Sequence, residues 1–295
     1  MKVEELTHAE RLVDAASGAT KGDIAHYYDR VADWLLPELK GRPAALLRAP
    51  EGVGRETFFQ KHAGHAAWPG ARVLDAALWP GHEPLLALPG RTALRSAVQM
   101  NTLEFHTWNA RIATLGKPDR LVFDLDPGDG VAWPDVRHGA RYVRELLEAL
   151  GLRSWLKTSG GRGLHLVVPL AARWPVDTVR GFAKAVVQRL AAEHPDRLVA
   201  RSGSTHRVGR IFVDYLRNGE GATTVAAYSL RARPGLGVSM PLAWEQLAAL
   251  DGAAQWTLGN ALDHLALRKL DPWAELPQAR QSLAGPMKAL GWRPG

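Results

Sequence analysis

The sequence predicts an α+β fold, and two observations between residues 120 and 216 carry that prediction. Short apolar runs typical of strands alternate there with amphipathic stretches of helical period, in the order strand, helix, strand, strand, helix, strand. The predicted strands cover 120–126, 153–159, 164–170 and 210–216, and the predicted helices cover 134–150 and 176–194. A glycine-rich turn joins the two middle strands, which indicates antiparallel pairing.

Proline and glycine residues mark the ends of these two predicted helices. Pro134 stands near the start of the first helix and Gly151 just past its end. The second helix carries its apolar residues on one stripe and stops at Pro195.

The remaining elements lie on either side of this stretch. Apolar residues recur at helical spacing over 22–40 until Gly41, and a strand is predicted at 44–49. A further strand is predicted at 223–230.

The length of 295 residues fits one large domain or two closely packed subdomains, and a hydrophobic content of 46% is enough for a core. Proline and glycine become frequent between residues 68 and 90, which marks a soft boundary. We therefore expect subdomains of about 1–100 and 101–295.

Composition limits the class of protein. The chain has no cysteine, which excludes disulfides and thiolate metal sites. The start of the sequence lacks the apolar stretch of a signal peptide, and no run reaches the length of a membrane span, so we expect a soluble, cytoplasmic protein without a membrane partner. A net charge of +7 favours a nucleic-acid partner, although a basic background composition gives the same value.

The segment 121–128 places two carboxylates at the end of a predicted strand. Side chains alternate faces along a strand, so Asp124 and Asp126 share one face while Phe123 and Leu125 fill the other. Two carboxylates that are roughly 7 Å apart repel each other unless a cation lies between them. Oxygen ligands suit Mg²⁺ or Mn²⁺, and two solvated aspartates are the alternative.

A third carboxylate lies in the strand predicted at 210–216. Asp214 is surrounded there by apolar residues, and an unpaired buried carboxylate is costly. It therefore needs a partner, which is either the same cation or an ion pair with Arg210 or Arg217.

The glycine-rich turn has the composition of an anion site. Gly160 and its neighbouring glycines let backbone N–H groups approach a phosphate closely. Ser159 adds a hydroxyl, Arg162 adds a fixed charge, and His165 alternates with leucines so that it leaves the apolar face. A phosphate site together with a metal site suggests phosphoryl or nucleotidyl transfer from a nucleoside triphosphate.

Taken together, these motifs resemble the archaeo-eukaryotic primase superfamily, and within it the polymerase domain of bacterial DNA ligase D. The resemblance covers nearly the whole chain in the right order. It rests on Asp124-Leu125-Asp126-Pro127-Gly128, on Ser159-Gly160-Gly161-Arg162-Gly163-Leu164-His165-Leu166, on Val213-Asp214-Tyr215, and on the segments 41–43, 48–52, 58–62, 103–108 and 227–231.

The resemblance implies an N-terminal α/β module packed on an antiparallel-sheet catalytic module like an RNA-recognition fold. It implies template-guided nucleotide addition to 3′-hydroxyl ends of primed, gapped or broken DNA in non-homologous end joining, with ribonucleotides preferred. Two divalent ions, Mn²⁺ or Mg²⁺, would be held by Asp124, Asp126 and Asp214, and the substrate would be a nucleoside triphosphate. The implied partners are DNA ends with a 5′-phosphate, the end-bridging protein Ku, and covalently linked ligase and phosphoesterase domains. A Lys-x-Asp-Gly ligase motif is absent, so we expect no ligase activity on this chain.

The resemblance also assigns nucleotide-binding residues. Contacts to the triphosphate are implied for Ser159, Arg162, His165, His106 and Arg231, with Arg217 close by. From the residues alone, Arg231 could be solvated and His106 could be a satisfied core histidine.

For DNA, the resemblance points to four residues. It implies that Phe58 and Phe59 stack against the template strand, whereas ordinary core packing is the alternative. Lys21 lies at a predicted helix start, where backbone N–H groups favour an anion, and is implied to hold the 5′-phosphate with Arg11. The aromatic-Pro pair that the family has after the upstream basic residue is replaced here by Asp14-Ala15, which weakens the assignment of Arg11.

Two alternatives from other classes stay open at this point. A haloacid-dehalogenase-type phosphatase also uses Asp-x-Asp after a strand, but it requires Thr or Val where this chain has Gly128, and a downstream Asp pair that we do not find. A non-catalytic basic DNA-binding module is the other alternative, and the three intact acids argue against it.

Overall fold

The computed structural model describes residues 6–64 and 68–295. Its helices are α1 (Lys21–Leu39), α2 (Arg91–Gln99), α3 (Trp133–Ala149), α4 (Val176–Glu193), α5 (Ala261–Leu267) and α6 (Ala284–Leu290). The predicted helices at 22–40, 134–150 and 176–194 are confirmed to within one residue at each end. Thr20 caps α1 by accepting a hydrogen bond from the backbone N–H of Asp23.

The strands are β1 (Leu12–Asp14), β2 (Ala19–Thr20), β3 (Ala44–Arg48), β4 (Phe58–Gln60), β5 (Arg72–Val73), β6 (Leu86–Ala87), β7 (Thr102–Trp108), β8 (Arg120–Pro127), β9 (Trp155–Thr158), β10 (Leu164–Pro169), β11 (Leu198–Val199), β12 (Ile211–Asp214), β13 (Thr223–Val225) and β14 (Pro241–Leu242). The strands predicted around residues 44, 120, 153, 164 and 210 are thus confirmed. None of the described helices has the length and apolar character that a membrane span requires.

The strand predicted at 223–230 was too long. Only Thr223–Val225 forms a strand, paired antiparallel with β7. The chain then turns, and Tyr228 adopts the left-handed backbone conformation with φ of 67°. A buried residue in that conformation cannot continue a pleated strand, because extended backbone needs a negative φ.

The chain forms two compact units that are discontinuous in sequence. Unit 1 comprises residues 1–113, 223–240 and 254–269, and unit 2 comprises 114–222, 241–253 and 270–295.

Unit 1 is built on a sheet with the strand order β13-β7-β3-β6-β5, in which β4 also pairs with β3. Helices α1 and α2 pack against each other and against β7. Two adjacent tyrosines of α1, Tyr27 and Tyr28, are fully buried in this core, and the ring of Tyr28 meets Phe105 edge to face.

Unit 2 is built on a second sheet with the order β11-β12-β8-β10-β9-β14. All of its pairs are antiparallel except β11 with β12. Helices α3 and α4 cover the face that carries Leu125. Gly139 of α3 allows this close packing, since a Cβ at that position would lie 2.9 Å from Ile211 and 3.5 Å from Leu125. Asp124 and Asp126 lie on the other face of β8.

Candidate active site

The two aspartates of β8 lie on one face, as the alternation of strand side chains predicts. Phe123 and Leu125 are completely buried. The side chains of Asp124 and Asp126 retain 15% and 41% exposure. The apolar face therefore fixes the register of β8, and the register presents both carboxylates on the opposite face.

Neighbouring strands extend this face into a row of ionisable side chains. In register, Asp124 lies opposite Asp214 of β12 on one side and opposite His165 of β10 on the other. His165 lies opposite Lys157 of β9. Directly opposed residues share a face of an antiparallel sheet, so four charged or titratable groups cross the centre of the sheet in one line.

Basic side chains hold the carboxylates of this row. The Nε of Arg217 lies 3.1 Å from Asp214 and 3.5 Å from Asp124, and the Nε2 of His165 lies 3.2 Å from Asp124. Arg207 forms an ion pair with Asp126. The ion pair expected as one alternative for Asp214 therefore forms with Arg217.

Arg210, the other arginine considered for Asp214, donates instead to the backbone carbonyl of His206.

Neighbouring acids influence the protonation of Asp214. Burial raises the pKa of Asp214 above its usual value, and the charges of Asp124 and Asp126 raise it further. The Arg217 guanidinium and a hydrogen bond from the backbone N–H of Leu216 act in the opposite direction without cancelling the rise. A carboxylate whose pKa is raised by its neighbours gains from any added positive charge.

The donor chemistry of the row fits a divalent cation. Three carboxylates on adjacent positions of one sheet face supply the hard oxygen ligands that Mg²⁺ and Mn²⁺ prefer. Within residues 6–64 and 68–295, however, no group of three or more acidic, histidine or cysteine side chains is gathered tightly enough to hold a metal. Arg217 and Arg207 engage the carboxylate oxygens that a cation would use.

Hydrogen bonds to Ser159 hold together the glycine-rich turn between β9 and β10. The hydroxyl of Ser159 accepts hydrogen bonds from the backbone N–H groups of Gly161 and Gly163, both at 3.1 Å, and the N–H of Ser159 donates to the carbonyl of Gly163 at 2.9 Å. Gly160 adopts a left-handed conformation with φ of 69°. The serine thus shapes the turn from within.

Gly163 brings this turn against β8. A Cβ at Gly163 would lie 1.8 Å from the carbonyl oxygen of Leu125, a distance that no side chain allows. The turn is therefore held beside the carboxylates. Arg162, at the tip of the turn, has a half-exposed side chain and lies 3.2 Å from Asp129.

In unit 1, His106 and Arg231 meet at a buried carboxylate that the sequence reasoning did not assign. The Nε2 of His106 donates to Glu104 at 2.7 Å, and the Nε of Arg231 lies 3.0 Å from the same oxygen. The side chains of His106 and Arg231 retain 12% and 19% exposure, so Arg231 is not simply solvated.

Phe58 and Phe59 are not core residues. They are 50% and 44% exposed, which contradicts the core-packing alternative. Phe59 meets the ring of His106 edge to face, with 5.1 Å between the ring centroids. Exposed aromatic rings beside a candidate nucleotide-binding histidine are suited to contact with bases.

Lys21 and Arg11 lie side by side in unit 1, but both are engaged by the chain. The ammonium of Lys21 donates to the carbonyl of Thr7 at 3.0 Å, and Lys21 is only 4% exposed. Arg11 donates to Asn101 at 2.6 Å and to the carbonyl of Pro50. Burial, and then the charge of Arg11, lower the pKa of Lys21.

The first three backbone N–H groups of α1 have acceptors within the chain. The N–H of Lys21 donates to Arg11, that of Gly22 to Ala9, and that of Asp23 to the Thr20 hydroxyl. These contacts use the donors that an anion at a helix start would need.

Three residues of these sites escaped the sequence analysis. Glu104 and His106 are two apart on a strand, so their shared face was a usable signal. Lys157 likewise follows Leu156 on β9 and lies on the opposite face from it. Arg207 gave no signal, because its pairing with Asp126 depends on a contact across 81 positions of the chain.

Comparison with known proteins identifies the family of this chain. The model of the family described as LigD, primase-polymerase domain, matches residues 20–273. The chain belongs to the LigD primase-polymerase family. This membership agrees with the resemblance read from the motifs and leaves the haloacid-dehalogenase alternative without support.

Relatives in this family are longer proteins. The chain is 49% identical over 286 residues to the multifunctional non-homologous end joining protein LigD of Pseudomonas aeruginosa, covering 96% of this chain and 34% of that protein. It is 37% identical over 253 residues to the corresponding DNA repair protein of Mycobacterium tuberculosis H37Rv, covering 82% of this chain and 33% of that protein. The chain thus spans about a third of the length of these relatives.

A solved structure shares the fold. The polymerase domain from Mycobacterium tuberculosis ligase D in complex with DNA superimposes with a TM-score of 0.82 at 32% identity, covering 94% of this chain and 98% of that chain. The expected primase-like α+β fold is therefore confirmed.

Proposed function

We propose that the chain is a DNA-directed nucleotidyltransferase that adds nucleotides to the 3′-hydroxyl of primed, gapped or broken DNA in non-homologous end joining. The observation that carries the proposal is the row in which Asp124, Asp214 and His165 lie in register on one face of the sheet, with Asp126 beside them. The names of the relatives support the same process, since they refer to end joining and to a polymerase domain in complex with DNA.

In this reaction, the 3′-oxygen of the primer forms a bond to the α-phosphorus of the nucleoside triphosphate. The bond from that phosphorus to pyrophosphate breaks, and the proton of the 3′-hydroxyl passes to water or a nearby base. Two divalent ions, Mn²⁺ or Mg²⁺, would be held by Asp124, Asp126 and Asp214. When bound, they lower the pKa of the 3′-hydroxyl and offset the charge of the leaving pyrophosphate. His165, at 3.2 Å from Asp124, fixes the orientation of that carboxylate.

Nucleotide and DNA contacts are divided among the remaining candidates. The triphosphate is proposed to contact Ser159, Gly160, Arg162, His165, His106, Arg217 and Arg231. The exposed rings of Phe58 and Phe59 are proposed to stack on template bases, and Lys21 and Arg11 to bind a 5′-phosphate at the gap or break.

The biological setting proposed here is taken from the family resemblance. Ku and covalently linked ligase and phosphoesterase domains are the proposed partners, and the cytoplasm with its nucleoid is the proposed location. The net charge of +7 favours a DNA partner, because positive charge attracts the phosphate backbone.

The test of this function is nucleotide addition to primed, gapped DNA by the purified chain with Mn²⁺ or Mg²⁺. Asp124→Ala and Asp126→Ala should abolish addition while circular dichroism remains that of the wild type, because each removes a carboxylate from the acidic face of β8 without touching its apolar face. An unaltered extension rate in a correctly folded variant of either kind would remove the metal-ligand assignment.

A preference for ribonucleotides is part of the proposal and comes from the family resemblance. The expected result is more efficient single-turnover insertion of a ribonucleotide than of the matching deoxyribonucleotide opposite the same template base. Equal efficiencies would eliminate the preference and leave the rest of the proposal intact.

A further inference from the structure

Glu104 is an acid at the centre of the sheet of unit 1. It lies on β7 between the buried residues Leu103 and Phe105, and its side chain is 5% exposed. A buried carboxylate is costly unless donors surround it. Glu104 therefore needs donors, and the residues that supply them indicate what it does.

Two basic side chains and one backbone N–H converge on this carboxylate. One oxygen accepts a hydrogen bond from the Nε2 of His106 at 2.7 Å and lies 3.0 Å from the Nε of Arg231. The other oxygen accepts from the backbone N–H of Ala232 at 2.8 Å. An ionised carboxylate only accepts hydrogen bonds, so both of its oxygens suit these basic and N–H groups. A neutral amide at this position would place an NH2 group, which is a donor, against them.

The ionised form of Glu104 is strongly favoured. Burial alone would raise its pKa, but the hydrogen bond from His106 and the charges of Arg231 and His106 lower it to about 2. Glu104 is thus negatively charged at every pH at which the protein would act.

The backbone that carries Arg231 is held against α1 and β7 by other contacts. The N–H of Leu230 donates to the hydroxyl of Tyr28 at 2.9 Å, and the N–H of Phe105 donates to the hydroxyl of Ser229 at 2.8 Å. These contacts hold the segment in place independently of Glu104. Because these contacts hold the backbone, the role that remains for the carboxylate is to orient the side chains of His106 and Arg231.

We propose that Glu104 is a positioning residue for the nucleoside triphosphate, which holds the imidazole of His106 and the guanidinium of Arg231 in one arrangement before the nucleotide binds. This inference rests on the proposed function, in which His106 and Arg231 contact the triphosphate. Arginine has many rotamers, and fixing its plane in advance lowers the entropy that binding must overcome. Burial keeps Glu104 itself away from the phosphates that it would repel.

Glu104→Gln is the diagnostic variant, because it keeps the size of the side chain and removes its charge. The Michaelis constant for the nucleotide should rise roughly tenfold to a hundredfold, as expected when hydrogen bonds to a charged group are lost, while kcat at saturating nucleotide stays near the wild-type value. Glu104→Asp keeps the charge on a shorter arm and should give an intermediate Michaelis constant. It replaces the glutamine variant as the test if that variant does not fold.

A double-mutant cycle separates positioning from general support of the fold. If Glu104 acts through Arg231, Glu104→Gln should weaken nucleotide binding much less in the Arg231→Ala background than in the wild type. An equal loss in both backgrounds would overturn the inference. Glu245→Gln, the same change at an exposed carboxylate of unit 2, is the matched control and should leave the Michaelis constant unchanged.

Direct binding of ATP distinguishes failure of this inference from failure of the proposed function. The probe is ATP with Mg²⁺ on gapped DNA whose primer lacks the 3′-hydroxyl, so no chemistry follows. Wild-type binding that Glu104→Gln does not weaken would overturn the role of Glu104 alone. Glu104-dependent binding without extension of a normal primer would overturn the proposed function and leave the inference standing, and absence of ATP binding by the wild type would overturn both.

Discussion

At the scale of single residues, the cost of burying charge decides the arrangement of both candidate sites. Asp214 and Glu104 are both buried acids with basic partners, yet their environments differ. The pKa of Asp214 is raised by burial and by two neighbouring acids, whereas two basic side chains and a backbone N–H lower that of Glu104 to about 2. Asp214 is thus suited to receive a cation, and Glu104 to orient the side chains that already neutralise it.

Strand alternation predicted the placement of the acids on β8 and β12, but it could not predict which basic residues contact the buried acids. The shared face of Asp124 and Asp126 follows from their spacing, and the need of Asp214 for a partner follows from its apolar neighbours. The contact of Arg231 with Glu104 spans 127 positions of the chain, the difference between 231 and 104. A single sequence carries no signal for pairs that only folding brings together.

Lys21 gives the prediction at this scale. If it binds the 5′-phosphate, Lys21→Ala should weaken binding to 5′-phosphorylated gapped DNA by about 1–3 kcal/mol, as for other charged hydrogen bonds, and should barely affect the same DNA with a 5′-hydroxyl. The loss should shrink as salt rises, because phosphate contacts release counterions.

The control for this prediction is Lys40→Ala, at the exposed far end of the same helix. Thermal unfolding of Lys21→Ala must also be measured, since the ammonium bonds to the carbonyl of Thr7. Equal losses on the two DNAs would show that Lys21 only contributes to a general basic surface or to the fold.

At the scale of elements, a hydrophobic pattern on one face determines what the other face presents. The sheet of unit 2 buries Phe123 and Leu125, and by that register it aligns acids and basic groups from β12, β8, β10 and β9. β7, despite its clear alternation, was not predicted, whereas the strands of this sheet at 120–126, 153–159, 164–170 and 210–216 were predicted correctly. The strand at 223–230 was not, because the left-handed Tyr228 is set by tertiary hydrogen bonds, among them one from Tyr27 to its carbonyl.

The glycine-rich turn gives the prediction at this scale. Gly163→Ala would push a Cβ into the backbone of β8, so the free energy of unfolding should fall by at least about 1–3 kcal/mol, the usual cost of overpacking. Nucleotide addition should fall as well, because the turn would move away from the carboxylates. Chemical denaturation and extension assays measure the two effects.

Gly252→Ala is the matched control, because a Cβ at Gly252 meets nothing within 4 Å. Wild-type stability of Gly163→Ala would show that the turn is not seated on β8 as described.

At the scale of the whole molecule, the family relation and the discontinuity of the units matter most. The family model spans 20–273 and so includes residues of both units. The sequence suggested a boundary near residue 100. In the structure, the chain passes from unit 1 to unit 2 at 113–114 and crosses between the units again at several later positions. Segments such as 223–240 join unit 1 through long-range pairing, which hydrophobic patterns do not reveal.

The central claim is that this molecule transfers nucleotides from a triphosphate to a DNA end. The most direct measurement identifies the product that a nucleoside triphosphate releases on primed, gapped DNA with Mn²⁺ or Mg²⁺. The account predicts one pyrophosphate released for each nucleotide added, and neither product with Asp124→Ala. Release of orthophosphate without primer extension, or tight DNA binding with no release at all, would contradict it.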